Sequence, residues 1–240
     1  ASRQPGRNLD VLIKYRNDKR YLSVGNMLDK ENKAIYGLEF SYETIPNELN
    51  LFDYDAFKAY KGDFYCVVTN LLTCEAEYMK YTGEDRTNTV LKATCALPML
   101  FPPIIINDTP YMDGGLTDSI PFMRALEDGC DRVLVVLTRE AGYTKTTSTS
   151  TKAIARYYEK EYPKLSEVML SRAERYNECL KQLKEYEDSG KVMVIRPAVS
   201  KGFSRLEKDK NKILSMYNDG YNQGYTLTGD IKKFFNYSNS

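Results

Sequence analysis

Apolar and polar positions change rhythm several times along the chain, and each rhythm predicts an element. DFYCVVTNLLT, Asp63 to Thr73, has the aromatic and β-branched content of a strand entering a core, and CEAEYMKY, Cys74 to Tyr81, reads as its returning partner. Gly83 closes that hairpin region. Upstream, LFDYDAFKAY predicts a short helix capped by Asp53 and ending near Tyr60. Asn8 to Ile13 fits a helix or a strand equally, and Tyr15 to Glu48 is charged and irregular.

The segment TVLKATCALPMLFPPIII changes character at its prolines. Leu91 to Leu97 suits a short helix that Pro98 ends, and Pro102-Pro103 force extended backbone into a strand over Ile104 to Ile106. NDTP is a turn that returns the chain as Tyr111-Met112, directly before Asp113. Asp118 or Ser119 is placed to cap a helix, with Pro121 in its first turn and Gly129 at its end. RVLVVLT then carries five consecutive aliphatics, the pattern of a strand buried on both faces. Strand, glycine turn, helix and strand in that order predict a right-handed crossover in a parallel sheet. Asp113 would then stand at a strand's carboxyl end, where open α/β sheets bind ligands.

Beyond Arg139 the texture shifts. Thr144 to Thr151 is a polar, low-complexity loop or linker. From Pro163 to Asp188, Leu165, Val168, Met169, Ala173, Tyr176, Leu180, Leu183 and Tyr186 recur at helical spacing and Gly190 provides a stop, predicting a long amphipathic helix. KVMVIRP reads as a strand, and Ser204 with Glu207 matches a capping box opening a last helical region through Phe235. No internal repeat is visible. The fold class is therefore α/β with a mainly helical extension, divided at residues 1–142 and 143–240.

Composition narrows the chemistry. A net charge of +1 over 240 residues leaves no basic excess for nucleic acid. Five cysteines without a Cys-x-x-Cys pair read as reduced, mostly buried thiols in a cytoplasmic setting. No apolar run approaches the ~20 residues of a membrane-spanning helix. Histidine is absent, which removes Ser-His-Asp triads, Cys-His pairs, HExxH zinc helices and any histidine base. No phosphate loop, dinucleotide fingerprint or EF-hand loop occurs, and neither a cofactor nor a metal is expected.

Carboxylates, hydroxyls, thiols, lysines and arginines remain. YMDGGLTDSIPFM sets Asp113 against Gly114 and Gly115, and an Asp-Gly pair is equally the signature of a plain hairpin turn. Cys95 is a candidate thiol nucleophile without a visible base, and small buried cysteines are far commoner. Asp118 with Asp113 would make an acidic pair, although helix capping explains it more simply. Leu97, Met99, Leu100 and Phe101 would line an acyl-chain pocket or simply fill a core. Tyr78 and Tyr81 read as packing residues.

The ordered set ATCALPMLFPPIIIN, YMDGGLTDSIP and a buried strand ending in TRE resembles the patatin-like phospholipase family, where an Ala-Leu-Pro-x-x-Phe-Pro segment precedes a DGG or DGA motif. TNLLTCEAEYM resembles that family's strand and hairpin, with Asn70 and Cys74 where Asp and Gly are usual. The resemblance covers about residues 60 to 140. It implies a mostly parallel sheet with flanking helices, and hydrolysis of lipid or other carboxylic esters by a Ser/Asp dyad without histidine. On it, Asp113 inherits the role of general base and takes a proton from a serine hydroxyl as that oxygen attacks an ester carbonyl. Partial burial should raise its carboxyl above the ordinary ~3.9. Gly114 and Gly115 would let the backbone pass close to the nucleophile.

The family's G-x-S-x-G elbow and glycine-rich oxyanion segment are absent from this sequence. GFSRL, Gly202 to Leu206, lacks the final glycine and reads as a helix cap. ASRQPGRN, Ala1 to Asn8, resembles the segment that follows the elbow helix in bacterial patatin-like proteins, so the expectation is a sheet incomplete at its amino terminus and a nucleophile outside this chain. The chain alone would then be inactive. Tyr157 to Tyr237 resembles the carboxyl-terminal extension of some of those proteins, its lysines and arginines being read as solvated faces. Expected partners are a lipid or ester substrate, transient contact with a membrane surface, and self-association through an exposed sheet edge. The alternatives are a binding or scaffold module that keeps the fold without the chemistry, and nucleotide binding at RVLVVLTRE.

Overall fold

The computed structural model describes residues 1–200, 202–204 and 206–236. Helices α1 (Arg7–Tyr15) and α2 (Val24–Leu28) and a π-helical segment, Phe40–Leu49, precede helix α3 (Tyr54–Lys58). Strands β1 (Tyr65–Asn70) and β2 (Ala76–Lys80), helix α4 (Thr89–Thr94), and strands β3 (Ile104–Ile106) and β4 (Thr109–Asp113) follow. A 3₁₀ turn, Gly114–Leu116, leads to helix α5 (Phe122–Glu127), strand β5 (Val133–Val136) and helices α6 (Thr149–Tyr158) and α7 (Pro163–Asp188). Strand β6 (Val192–Ile195) and helices α8 (Lys210–Thr226) and α9 (Thr228–Phe234) end the described chain. The class is α/β with a helical carboxyl-terminal region, as the sequence indicates.

The chain forms two compact units, one of Ala1–Ser119 with Thr147–Arg172 and one of Ile120–Thr146 with the residues from Ala173 onward. The first holds a sheet in the order β2-β1-β4-β3, antiparallel at every pairing. Local chemistry makes it so. Asn107 and Asp108 take φ of 49° and 61° and turn β3 straight into β4, as short-side-chain residues that tolerate the left-handed region do. At the β1–β2 turn Asn70 Oδ1 accepts the Leu72 amide at 2.8 Å while Cys74 takes φ 61°. Tight turns of this kind can only join antiparallel neighbours.

Two cores sandwich this sheet. Val68, Ile104 and Tyr111 pack against Ala34, Ala93, Ala96 and Phe101. Met112 and Leu71 pack, with Leu116, against Ala155, Tyr158, Leu165 and Met169 of α6 and α7. Side chains alternate along a strand, so Asp113, paired with Val68, shares the Tyr111 face while Met112 serves the other.

The predicted crossover is corrected by this pairing. β4 lies between β1 and β3, whereas β5 pairs with β6 in a separate parallel two-stranded sheet of the second unit, from Val133↔Val192 to Val136↔Ile195. A run of aliphatics reports burial and not partnership, and among the described residues the mostly parallel sheet is absent. Nor is β5 buried on both faces: Val135 and Leu137 enter the core with Phe122, Tyr176, Leu183 and Val192, while Val136 is 69% exposed. One covered face is all that two strands need.

Several local expectations hold. Asp53 caps α3 by accepting the Ala56 amide at 2.8 Å, Gly129 (φ 94°) follows α5, and α7 spans the predicted 26 residues with Gly190 (φ 73°) beyond it. Others move. Asn8 to Ile13 is helical within α1, and the stretch from Tyr15 to Glu48 contains α2 and most of the π segment. Pro121 occupies the N-cap of α5, because Asp118 accepts the Tyr78 hydroxyl at 2.6 Å and Ser119 donates to the Gly115 carbonyl at 2.7 Å. Thr149 to Thr151 opens α6 behind a Ser148 cap. Asp209, accepting the Asn211 amide at 2.8 Å, caps α8 in place of Ser204, whose hydroxyl accepts the Leu206 amide at 3.1 Å. Arg205 and Tyr237, within the GFSRL string and the extension, lie outside the described residues.

Candidate active site

Asp113 is the last residue of β4 and its backbone is held on both sides. Its amide donates to the Ala96 carbonyl at 2.9 Å, and its carbonyl accepts the hydroxyl of Thr69, a fully buried residue, at 2.9 Å. Thr69 in turn shares a 2.8 Å hydrogen bond with the Thr117 hydroxyl. The chain then enters the 3₁₀ turn, where the Gly115 amide donates to Asp113 Oδ1 at 2.7 Å. The Asp-Gly pair is thus no hairpin tip. It is a strand end whose half-buried carboxylate is aimed by the backbone two residues on.

Each glycine of the motif has its own steric reason, and neither lies in the left-handed region. A Cβ on Gly114 would meet the Val67 carbonyl oxygen at 2.2 Å and its carbon at 2.4 Å. The close approach is to strand β1, where the Val67 oxygen also accepts the Thr94 hydroxyl at 2.6 Å. A Cβ on Gly115 would meet Asp113 Oδ1 at 2.9 Å and Arg172 Nη2 at 3.1 Å. Gly114 lets the turn sit on the sheet, and Gly115 leaves room for a carboxylate and a guanidinium.

Cys95 follows α4 and feels the charge of the same carboxylate. Burial pushes its thiol pKa up, a hydrogen bond with the Tyr42 hydroxyl draws it back, and the Asp113 charge adds to the rise. Yet the side chain is exposed to solvent. Tyr42, in the π segment, has its hydroxyl driven far above the ordinary tyrosine range by burial and by Cys95. Arg16, 5% exposed, donates to the Tyr36 hydroxyl at 2.8 Å, and Tyr36 joins Tyr21 in the electrostatic surroundings of Tyr42. π-Helical turns often mark functional sites because they re-aim side chains.

The other sequence candidates divide. Asp118 accepts the Tyr78 hydroxyl at 2.6 Å. Tyr81 is buried and donates to Asn88, consistent with packing. Phe101 and the half-buried Leu100 belong to the core, while Met99, at φ 66°, is exposed. Cys66 and Cys74 are buried, but Cys130 and Cys95 are exposed, which corrects the expectation of mostly buried thiols. Among the described residues no group of three or more Cys, Asp or Glu side chains forms a metal-binding arrangement, and no helix is long and apolar enough to cross a membrane.

Arg172 is the residue that the sequence reading passed over. Its Nε donates to the Gly115 carbonyl at 2.5 Å across 57 residues of chain. The signal was present, since Arg172 stands three residues after Met169 and seven after Leu165, a charge set into the apolar stripe of α7.

The chain is mixed α/β, lacks histidine, and holds a carboxylate at a strand end before two sterically required glycines. Residues 7–126 match the patatin-like phospholipase family, and residues 162–236 match a domain of unknown function (DUF6363). No curated protein matches the chain. The chain belongs to the patatin-like phospholipase family, a family of lipid hydrolases.

Proposed function

We propose that this chain supplies the base half of a Ser/Asp dyad that hydrolyses lipid or other carboxylic esters. Asp113 accepts the proton of a serine hydroxyl as it attacks the ester carbonyl, and returns it to the leaving alkoxide; water then releases the acyl group by the same steps in reverse order. The serine is contributed by sequence other than these 240 residues, which contain no G-x-S-x-G string. The observation that carries the reading is the 2.7 Å hydrogen bond from the Gly115 amide to Asp113 Oδ1 within the family-matched region. One carboxylate oxygen is thereby held by the backbone two residues on.

An activated ester such as p-nitrophenyl butyrate tests this. The 240-residue chain is expected to give no burst of acyl-enzyme, whereas the chain extended upstream to include a G-x-S-x-G segment gives a stoichiometric one. A full burst from the 240 residues alone would overturn the division of labour.

A further inference from the structure

We propose that Arg172 is a positioning residue for Asp113, so that the helix opening the region matched by the domain of unknown function is part of the active site. The inference rests on Asp113 being the base, and it assigns that region a task in the same reaction.

Gly115 is the junction. Its carbonyl accepts Arg172 Nε at 2.5 Å and the Ser119 hydroxyl at 2.7 Å, and its amide donates to Asp113 Oδ1 at 2.7 Å. Glycine is conformationally permissive, so the two bonds at its carbonyl limit how far its amide can turn. The guanidinium therefore fixes the carboxylate through one residue of backbone. Arg172 Nη2 and Asp113 Oδ1 both lie close to the space a Gly115 Cβ would fill. That places them within about 6 Å of each other, near enough for the cation to favour the ionised carboxylate.

Packing delivers the arginine to this place. Leu165 and Met169, two turns and one turn before it on α7, bury against Met112 and Leu116 on either side of the Asp-Gly-Gly motif. The next position on that stripe would ordinarily be another aliphatic, because a half-buried charge costs more than it contributes unless its geometry is well satisfied. The planar fork of arginine, with Nε on the Gly115 carbonyl and Nη2 toward the carboxylate, is what lysine or leucine does not supply. The other titratable groups around Asp113 are Cys95, after α4, with Tyr42 behind it, and Asp118 in the following loop, held by Tyr78.

The test is a carboxyl-carbon NMR titration of Asp113 in the 240-residue chain, with hydrogen exchange at the Gly115 amide and a melting curve to verify folding. In Arg172→Gln the Asp113 midpoint should rise by roughly 0.5–1 pH unit and the Gly115 amide should exchange about tenfold faster. Arg172→Lys should return the midpoint toward that of the parent while leaving the amide fast, because charge is restored without the fork. A folded Arg172→Gln with both values unchanged overturns the proposal. If the Gln variant does not fold, unchanged exchange in Arg172→Lys overturns it instead. Neither readout needs turnover, so an Asp113→Asn enzyme that stayed active would remove the base assignment and leave this link intact.

Discussion

Alanine at the two motif glycines should separate architecture from chemistry. In Gly114→Ala the new methyl carbon would sit 2.2, 2.4 and 2.7 Å from Val67 O, C and Cβ. Non-bonded carbon and oxygen need about 3.3 Å, so something must yield by roughly 1 Å. None of the three atoms is the end of a flexible side chain. Val67 lies in β1, paired with β2 through Tyr78, and its oxygen is engaged by Thr94. The strain should therefore cost about 3 kcal/mol, a fall of roughly 6–12 °C in melting temperature for a chain of this size.

In Gly115→Ala the close atoms are Asp113 Oδ1 at 2.9 Å and Arg172 Nη2 at 3.1 Å, side-chain ends rather than backbone. Stability should change by no more than about 1 kcal/mol, yet the carboxylate is pushed from its aimed position. A displacement approaching 1 Å at a reacting group costs about 10²-fold in turnover. Calorimetric melting of both variants, with ester turnover by the upstream-extended protein, measures the contrast. Equal losses of stability in the two, or a Gly114→Ala protein that melts within 2 °C (about 1 kcal/mol) of the parent, would refute the steric assignment.

Three further expectations follow from the described contacts. Asp85 accepts the Thr87 amide and hydroxyl at 2.8 and 2.6 Å and the Thr89 amide at 2.7 Å; burial works to raise its carboxyl, and these bonds outweigh it, bringing the pKa down to about 2. A depressed carboxyl stabilises the fold above the unfolded value near ~3.9 and loses that contribution as pH falls through its folded value. Allowing for its exposure, Asp85→Asn should cost about 1 kcal/mol at pH 7, with the difference closing near pH 2; a pH-independent gap in urea melts would contradict this. Cys95 is accessible but has a raised pKa, so iodoacetamide should modify it more slowly at pH 7.5 than a free cysteine peptide and faster as pH rises, and a pH-flat rate would argue against a desolvated thiol. Asp209→Ala removes the cap on α8 and should cost about 1 kcal/mol; unchanged helicity and melting by circular dichroism would show that the cap is dispensable.

What was legible followed the range of the interaction that decides it. NDTP specifies its own hairpin, because Asn107 and Asp108 tolerate positive φ and Pro110 follows at once, and the stripe from Leu165 to Tyr186 repeats often enough to set both ends of α7. Sheet partnership is different: RVLVVLT carries no mark of whether it joins β4 or β6, since both pairings bury the same aliphatics. The π segment was hidden by Pro46 and by mixed polarity. Asp113 is marked out in the sequence by the glycines beside it, but the sequence does not show that a Cβ on Gly114 would meet the Val67 carbonyl. Arg172 was read as one more solvated cation because charges on long helices usually are, and only its place in the apolar stripe set it apart.

On the proposed function the Asp113 carboxylate carries the proton in ester cleavage. Turnover of an activated ester by the upstream-extended protein, with and without Asp113→Asn, addresses it most directly, because the amide keeps the side chain's size and the acceptor for Gly115 N–H while removing the base. The account predicts a loss on the order of 10²–10⁴-fold with an unchanged melting temperature. Turnover within a few-fold of the parent would contradict it.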